Sequence, residues 1–161
     1  MAPQVACHSG PMAGTGRAWS TAVAVARTAS VGGPRLYRAA RQAGAGPKDA
    51  LDVLAASAAA LLVSTRAGSG KPGRQNAIRH FTWQATITAR HGIHVATAVA
   101  DAQERGSTRL RDTAVDQRNN AAGQTWGHAH EQELAGRSLR AVLDAASAAA
   151  TTKWDAGELA R

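Results

Sequence analysis

Asn76, Arg79, His80 and Trp83 stand at i, i+3, i+4 and i+7 in the stretch QNAIRHFTWQA, so on a helix all four share one side. An imidazole beside a guanidinium, with an amide one turn away, can move a proton, hold an anion and orient a polar group. A second stretch, AVDQRNNAAGQTWG at 114–127, offers a complementary set. There Val115, Asn119, Ala122 and Trp126 form one helical stripe, and Asp116, Asn120, Gly123 and Gly127 form the adjacent one. Gln117, Arg118, Gln124, Thr125 and His128 fall on the opposite side and read as solvated.

Asn76, Arg79, His80, Asp116, Asn119 and Asn120 are therefore expected to meet between two helices. Buried without partners, such groups cost about 2–7 kcal/mol each, so they persist only when paired or useful. The expected pairings are a fork from Arg79 onto Asp116 and a hydrogen bond between His80 and an asparagine amide. As a catalytic set, His80 is the general base or ligand, Asp116 holds His80 or Arg79, and Arg79 stabilises an anion. Asn76, Asn119 and Asn120 orient substrate or water. Trp83 and Gly123 complete the substrate-binding side, Gly123 by letting a helix or a ligand approach closely. Trp83, Trp126 and Trp154 also read as core, because aromatic residues make up only 4% of the chain.

The elements that must position these residues are helices. Alanine is abundant, and runs of β-branched or aromatic residues of strand length are missing, so the fold class is all-α. We expect a single compact domain of five or six helices with a disordered N-terminal arm. The arm is 1–16, rich in Gly and Pro. A helical N-terminal segment, loosely packed, covers 17–45, with helices near 17–30 and 35–42. The core domain is 46–150 and a tail of ambiguous structure is 151–161. Within the core, a helix over 48–63 carries an apolar stripe of Leu51, Leu54, Ala55, Ala58, Leu61 and Leu62. A flexible loop follows over 64–75. Asn76 caps a helix at 77–91 that Gly92 ends. Further helices are expected over 93–105 and 113–126, with a turn capped by Ser107 between them. A last helix near 130–149 turns Leu139, Val142, Leu143 and Ala146 inward and Arg137, Arg140 and Asp144 outward.

The net charge is +8, from 19 basic and 11 acidic residues, and lysine occurs only at Lys48, Lys71 and Lys153. The arginines are scattered, as a GC-rich genome would give. The charge favours an anionic substrate or surface and leaves nucleic acid open. Cys7 is the only cysteine, so neither an internal disulfide nor a Cys-based zinc site is expected. The apolar run 53–63 falls short of the roughly 20 residues that span a membrane. AWSTAVAVA after Arg17 is too short and leucine-poor for a clear signal peptide, so the compartment, cytoplasmic or secreted, stays open.

GSGK at 68–71 is not a phosphate loop, because Pro72 follows Lys71. His80, Asp101, Glu104 and Asp116 supply N and O donors, but their spacing imposes no metal geometry. No metal ligand is assigned and no cofactor is indicated. HGIH at 91–94 and HAHEQE at 128–133 read as histidines at helix ends.

NAIRHFTWQATITARHG together with DQRNNAAGQTWG resembles a widespread bacterial domain of unknown function. Its pattern is roughly N/D-A-x-R-H-x-x-W, then an acidic D-A-H-E-like segment, then D-x-x-N-N-x-x-G. The first motif matches at Asn76, Ala77, Arg79, His80 and Trp83, and the last at Asp116, Asn119, Asn120 and Gly123. The resemblance covers about residues 74–128. It implies a bacterial domain of secreted or surface proteins, often at the C-terminal end of toxin-like chains, and it implies a site without a chemistry. The middle motif departs: Gln103 of ADAQERG stands where the pattern has a histidine, which puts any activity needing that histidine in doubt.

Two classes of function follow. One is a hydrolase-like or effector-like domain acting on a phosphate-containing substrate, nucleic acid or phospholipid. The other is a non-catalytic helical interaction module whose polar cluster is a hydrogen-bond network, or a basic protein that binds nucleic acid. A working site should open His80 to a cleft; a network should leave none.

Overall fold

The computed structural model describes residues 32–105 and 110–161, with the side chains of 110–113 left aside. These residues form helices α1 (Gly33–Gln42), α2 (Pro47–Ala67), α3 (Pro72–His91), α4 (Ile93–Glu104), α5 (Leu110–Ala129), α6 (Glu131–Leu134) and α7 (Leu139–Asp155). No strand occurs among the described residues, so the fold is all-α. The arm at 1–16, the helix expected at 17–30 and the Ser107 cap lie outside the described residues.

Seven described helices replace the expected five or six, and the extra one has a local cause. The helix expected at 130–149 is divided at Gly136, whose φ of +73° is a conformation that favours glycine. Ser138 then starts α7, its hydroxyl accepting from the Ala141 N–H at 3.2 Å.

The loop expected at 64–75 shrinks to four residues, because α2 continues to Ala67 and α3 already begins at Pro72. Proline at the first helical position loses no hydrogen bond there, and both α2 and α3 start on one. Asn76 is therefore not the cap but an interior residue, free to use its side chain elsewhere. Gly92 ends α3 as expected, with φ +83° and its N–H on the Thr88 carbonyl.

The leucine stripe of α2 meets the core only in part, through Leu54. Leu51 is 60% exposed and Leu62 46% exposed, whereas Ala50, Val53, Ala56, Ala60 and Ser64 are buried. Small residues face inward because neighbouring helices approach closely along that side. The full α2 is also longer than the apolar run 53–63. Its 21 residues are long and apolar enough, by length and composition, to cross a membrane. Here it packs as one helix of the bundle, against α1, α3 and α7.

The centre of the bundle is α3. It packs against α2, α4, α5, α6 and α7, and Ala77, Ile78 and His80 through Thr88 are all buried. Two apolar clusters flank it. One joins α1, α2 and α4 through Leu36, Val53, Trp83, Ile87 and Val99. The other joins α5 and α7 through Ile78, Phe81, Ala146 and Leu159, with Trp126 and Trp154 packed against it.

Candidate functional site

α3 and α5 run side by side in the same direction, and their polar residues form a ladder. Asn76 Nδ2 donates to Asp116 Oδ1 at 2.6 Å, His80 Nδ1 lies 2.9 Å from Asn120 Oδ1, and Gln124 Nε2 donates to Gln84 Oε1 at 2.8 Å. Each rung joins residues 40 apart, and rungs recur every fourth residue on both helices, the spacing that keeps one face in line. Glycine makes the ladder short enough. A Cβ on Gly123 would overlap the Phe81 carbonyl oxygen, and one on Gly127 the Ala85 carbonyl oxygen, so both positions seat α5 directly on the α3 backbone.

At the first two rungs the network closes on itself. Asp116 Oδ2 lies 3.2 Å from His80 Nε2. Arg79 Nη2 donates to Asn76 Oδ1 at 2.7 Å and also contacts His80 Nε2. The expected fork from Arg79 onto Asp116 does not form; Asp116 Oδ1 accepts from Asn76 and Oδ2 lies against the His80 ring instead. With a proton on Nδ1 donated to Asn120, Nε2 accepts from Arg79, and a second proton on Nε2 would have to displace that guanidinium to reach Asp116. His80 is 4% exposed and both of its nitrogens are engaged.

Charge balance follows the geometry. Burial pushes the Asp116 carboxyl up, but the His80 and Asn76 hydrogen bonds and the Arg79 charge outweigh it and hold the group below its usual range. Burial lowers the Arg79 guanidinium against the opposing pull of Asp116 and Glu104. Arg79 thus lies near two carboxylates yet hydrogen-bonds only neutral acceptors among the described residues. Glu104 Oε2 and Asn120 Nδ2 are buried nearby without a hydrogen-bond partner among the described residues.

A cavity of about 110 Å³ opens against this cluster, lined by Ser57, Leu61, Arg79, His80, Trp83 and Gln103, with Leu36 from α1 closing one wall. Trp83 Nε1 donates to Ser57 Oγ at 2.8 Å, and Ser57 in turn donates to the Val53 carbonyl at 2.7 Å. Trp83 stands edge-on to His80, ring centres 6.1 Å apart.

The structure thus brings Asn76, Arg79, His80, Asp116, Asn120 and Trp83 together and leaves Asn119 and Gly123 out. Asn119 is fully buried but turned away: its Oδ1 accepts from the Ala160 N–H at 2.9 Å and its Nδ2 donates to the Ala160 carbonyl at 3.2 Å, which clamps the tail after Leu159 docks in the core. Gly123 meets α3 backbone rather than open space. Gln124, expected to be solvated, forms the third rung. Ser57 and Leu61 on α2 carry no motif, and Gln103 stood out in the sequence only as a departure from one.

The other histidines among the described residues lie at or near helix ends. His91 joins Arg90 on Asp52, and His130 stacks on Trp126 at 4.2 Å. Among the described residues no three His, Cys, Asp or Glu side chains converge as a metal-binding group, so His80, Asp101, Glu104 and Asp116 are not gathered into one.

A family model described as a domain of unknown function, DUF6973, matches residues 44–151, well over half of the chain, and the chain belongs to that family. The matched span contains the whole polar cluster and every cavity residue except Leu36. No curated protein and no solved structure matches.

Proposed function

We propose that this DUF6973 domain binds a small anionic ligand in the cavity beside α3, with Arg79 as the receptor and the ladder to α5 as its support. The observation that carries the reading is the partner set of Arg79. A buried guanidinium is costly unless an anion answers it directly. Here it donates to Asn76 and His80, both neutral acceptors, and lines an open cavity. A ligand carboxylate or phosphate would supply the missing contact, and the fork geometry of guanidinium suits either. The bacterial, secreted setting implied by the motifs is part of the same proposal.

Hydrolase-like chemistry is the second reading, favoured by the 3.2 Å pairing of His80 and Asp116. It requires His80 Nε2 to release Arg79 before it can take a proton from substrate.

Thermal unfolding of wild type and Arg79→Gln with a panel of small anions tests the binding reading. A ligand that binds only the folded state raises stability with its concentration. Stabilisation that is present in wild type and lost in Arg79→Gln is the expected outcome. Equal shifts in both proteins would place the anions elsewhere and sink the reading.

A further inference from the structure

The walls of the cavity narrow the class of anion. This inference deepens the anion-binding reading and rests on it. Three donor groups in the lining are accounted for: Trp83 N–H is spent on Ser57, Ser57 O–H on Val53, and His80 Nδ1 on Asn120. The donors left are the unused N–H groups of Arg79 and the amide of Gln103. They belong to two residues. Leu36, Leu61 and the ring of Trp83 make up the rest.

A phosphate group carries acceptor oxygens in every direction, and several would be pressed against leucine and indole without a donor. A carboxylate has two oxygens on one edge, which one guanidinium fork can serve. The remainder of such a ligand would meet apolar walls and should itself be apolar. Size sets a further limit. A cavity of about 150 Å³ accepts a benzene ring, so the space of about 110 Å³ here suits a branched body of a few carbons.

From these features we infer that the site takes a short organic acid with an apolar body, its carboxylate on Arg79 and Gln103 and its body between Leu36, Leu61 and Trp83. Gln103 is then a specificity residue: its amide can donate to the carboxylate without adding a charge to a cavity that Arg79 already lines.

The test is an NMR titration of the full chain with isovalerate, isovaleramide and inorganic phosphate, read at the Trp83 indole N–H and assigned with Trp83→Phe. Isovalerate should shift that resonance saturably and bind at least about tenfold tighter than the amide or phosphate, a difference of about 1.4 kcal/mol. Arg79→Gln should remove that preference. Leu61→Phe, which fills the cavity and leaves every polar partner in place, should abolish the shift and keeps the test decisive if Arg79→Gln does not fold. Phosphate binding tighter than isovalerate, and lost in Arg79→Gln, would overturn the carboxylate class while leaving the anion site standing. Isovaleramide binding as well as isovalerate, or no ligand moving the Trp83 resonance, would overturn both.

Discussion

Helix α3 carries the dipeptide Arg-His twice, at Arg79-His80 and at Arg90-His91, and each meets an aspartate from another helix. At the C-terminal end of α3 the trio is closed. Arg90 Nε and His91 Nε2 both lie on Asp52 Oδ2, at 2.7 and 2.8 Å, and Arg90 Nη1 reaches the Arg137 carbonyl at 3.0 Å. Every charge has a direct partner, and basic groups there also suit the negative end of the helix dipole. In the middle of α3 the trio is open. Asp116 takes His80 and Asn76, and Arg79 is left with neutral acceptors and a cavity. The same three residue types thus make a clasp in one place and a candidate receptor in the other. What differs is whether the arginine reaches its carboxylate.

The largest expected effect comes from closing the open trio's approach without touching a polar group. Gly123→Ala places a methyl group on the Phe81 carbonyl, so α5 must move off α3 and the rungs must lengthen. We expect a loss of about 3 kcal/mol, the upper part of the range for overpacking, measured by urea denaturation. A loss below about 1 kcal/mol would mean that the ladder does not depend on this approach. Asp116→Ala comes next. It leaves Asn76 without its acceptor and takes a negative charge from beside the buried Arg79, at about 2–3 kcal/mol. Asp52→Ala should lose only about 1 kcal/mol, because its side chain is 25% exposed and solvent screens the pair. Equal losses would erase the distinction between the two trios.

How much of this contrast was legible in the sequence follows from the ranges involved. The all-α class, the ends of α3 and α4 at Gly92, and the meeting of two motifs rest on periodicity and glycine, which act locally. The ladder was half visible: Asn76, His80 and Gln84 repeat every fourth residue, as do Asp116, Asn120 and Gln124. Pairing them needs the parallel direction of α3 and α5, which nothing local encodes. Asn119 and Asn120 are neighbours in sequence, but the 100° step between them sends one to the tail and the other to His80. The α2 stripe failed for another reason. Leucine marks the core when helices stand apart, whereas this bundle packs so closely that alanine lines its seams and Leu51 and Leu62 face out.

Acid should act on both trios with the same sign. The Asp116 and Asp52 carboxyls are held below their usual range; in each, burial pushes the other way and the hydrogen bonds and charges of the basic partners prevail. A carboxylate whose pKa is lower folded than unfolded adds stability above the unfolded value, near 3.9, and that stability is lost as pH falls through the folded one. Urea midpoints should therefore be level from pH 7 to about 5 and drop below about 4. Asp116→Asn and Asp52→Asn should each flatten the drop; a drop unchanged in both would assign it to other carboxyls.

The smallest effect separates the two regions most sharply, because it differs in sign. Arg90→Met removes a paired cation and should cost about 1 kcal/mol. Arg79→Met removes a cation whose burial is answered by no direct anion, and methionine fills similar space without a desolvation penalty. The lost bonds to Asn76 and His80, and the lost positive charge near Asp116 and Glu104, offset part of that gain. The expected outcome is unchanged stability or a rise of up to about 1 kcal/mol, the pattern of sites kept for binding at the expense of stability. If Arg79→Met loses as much as Arg90→Met in the same urea titration, Arg79 is a clasp like its counterpart, and the cavity beside it has no receptor.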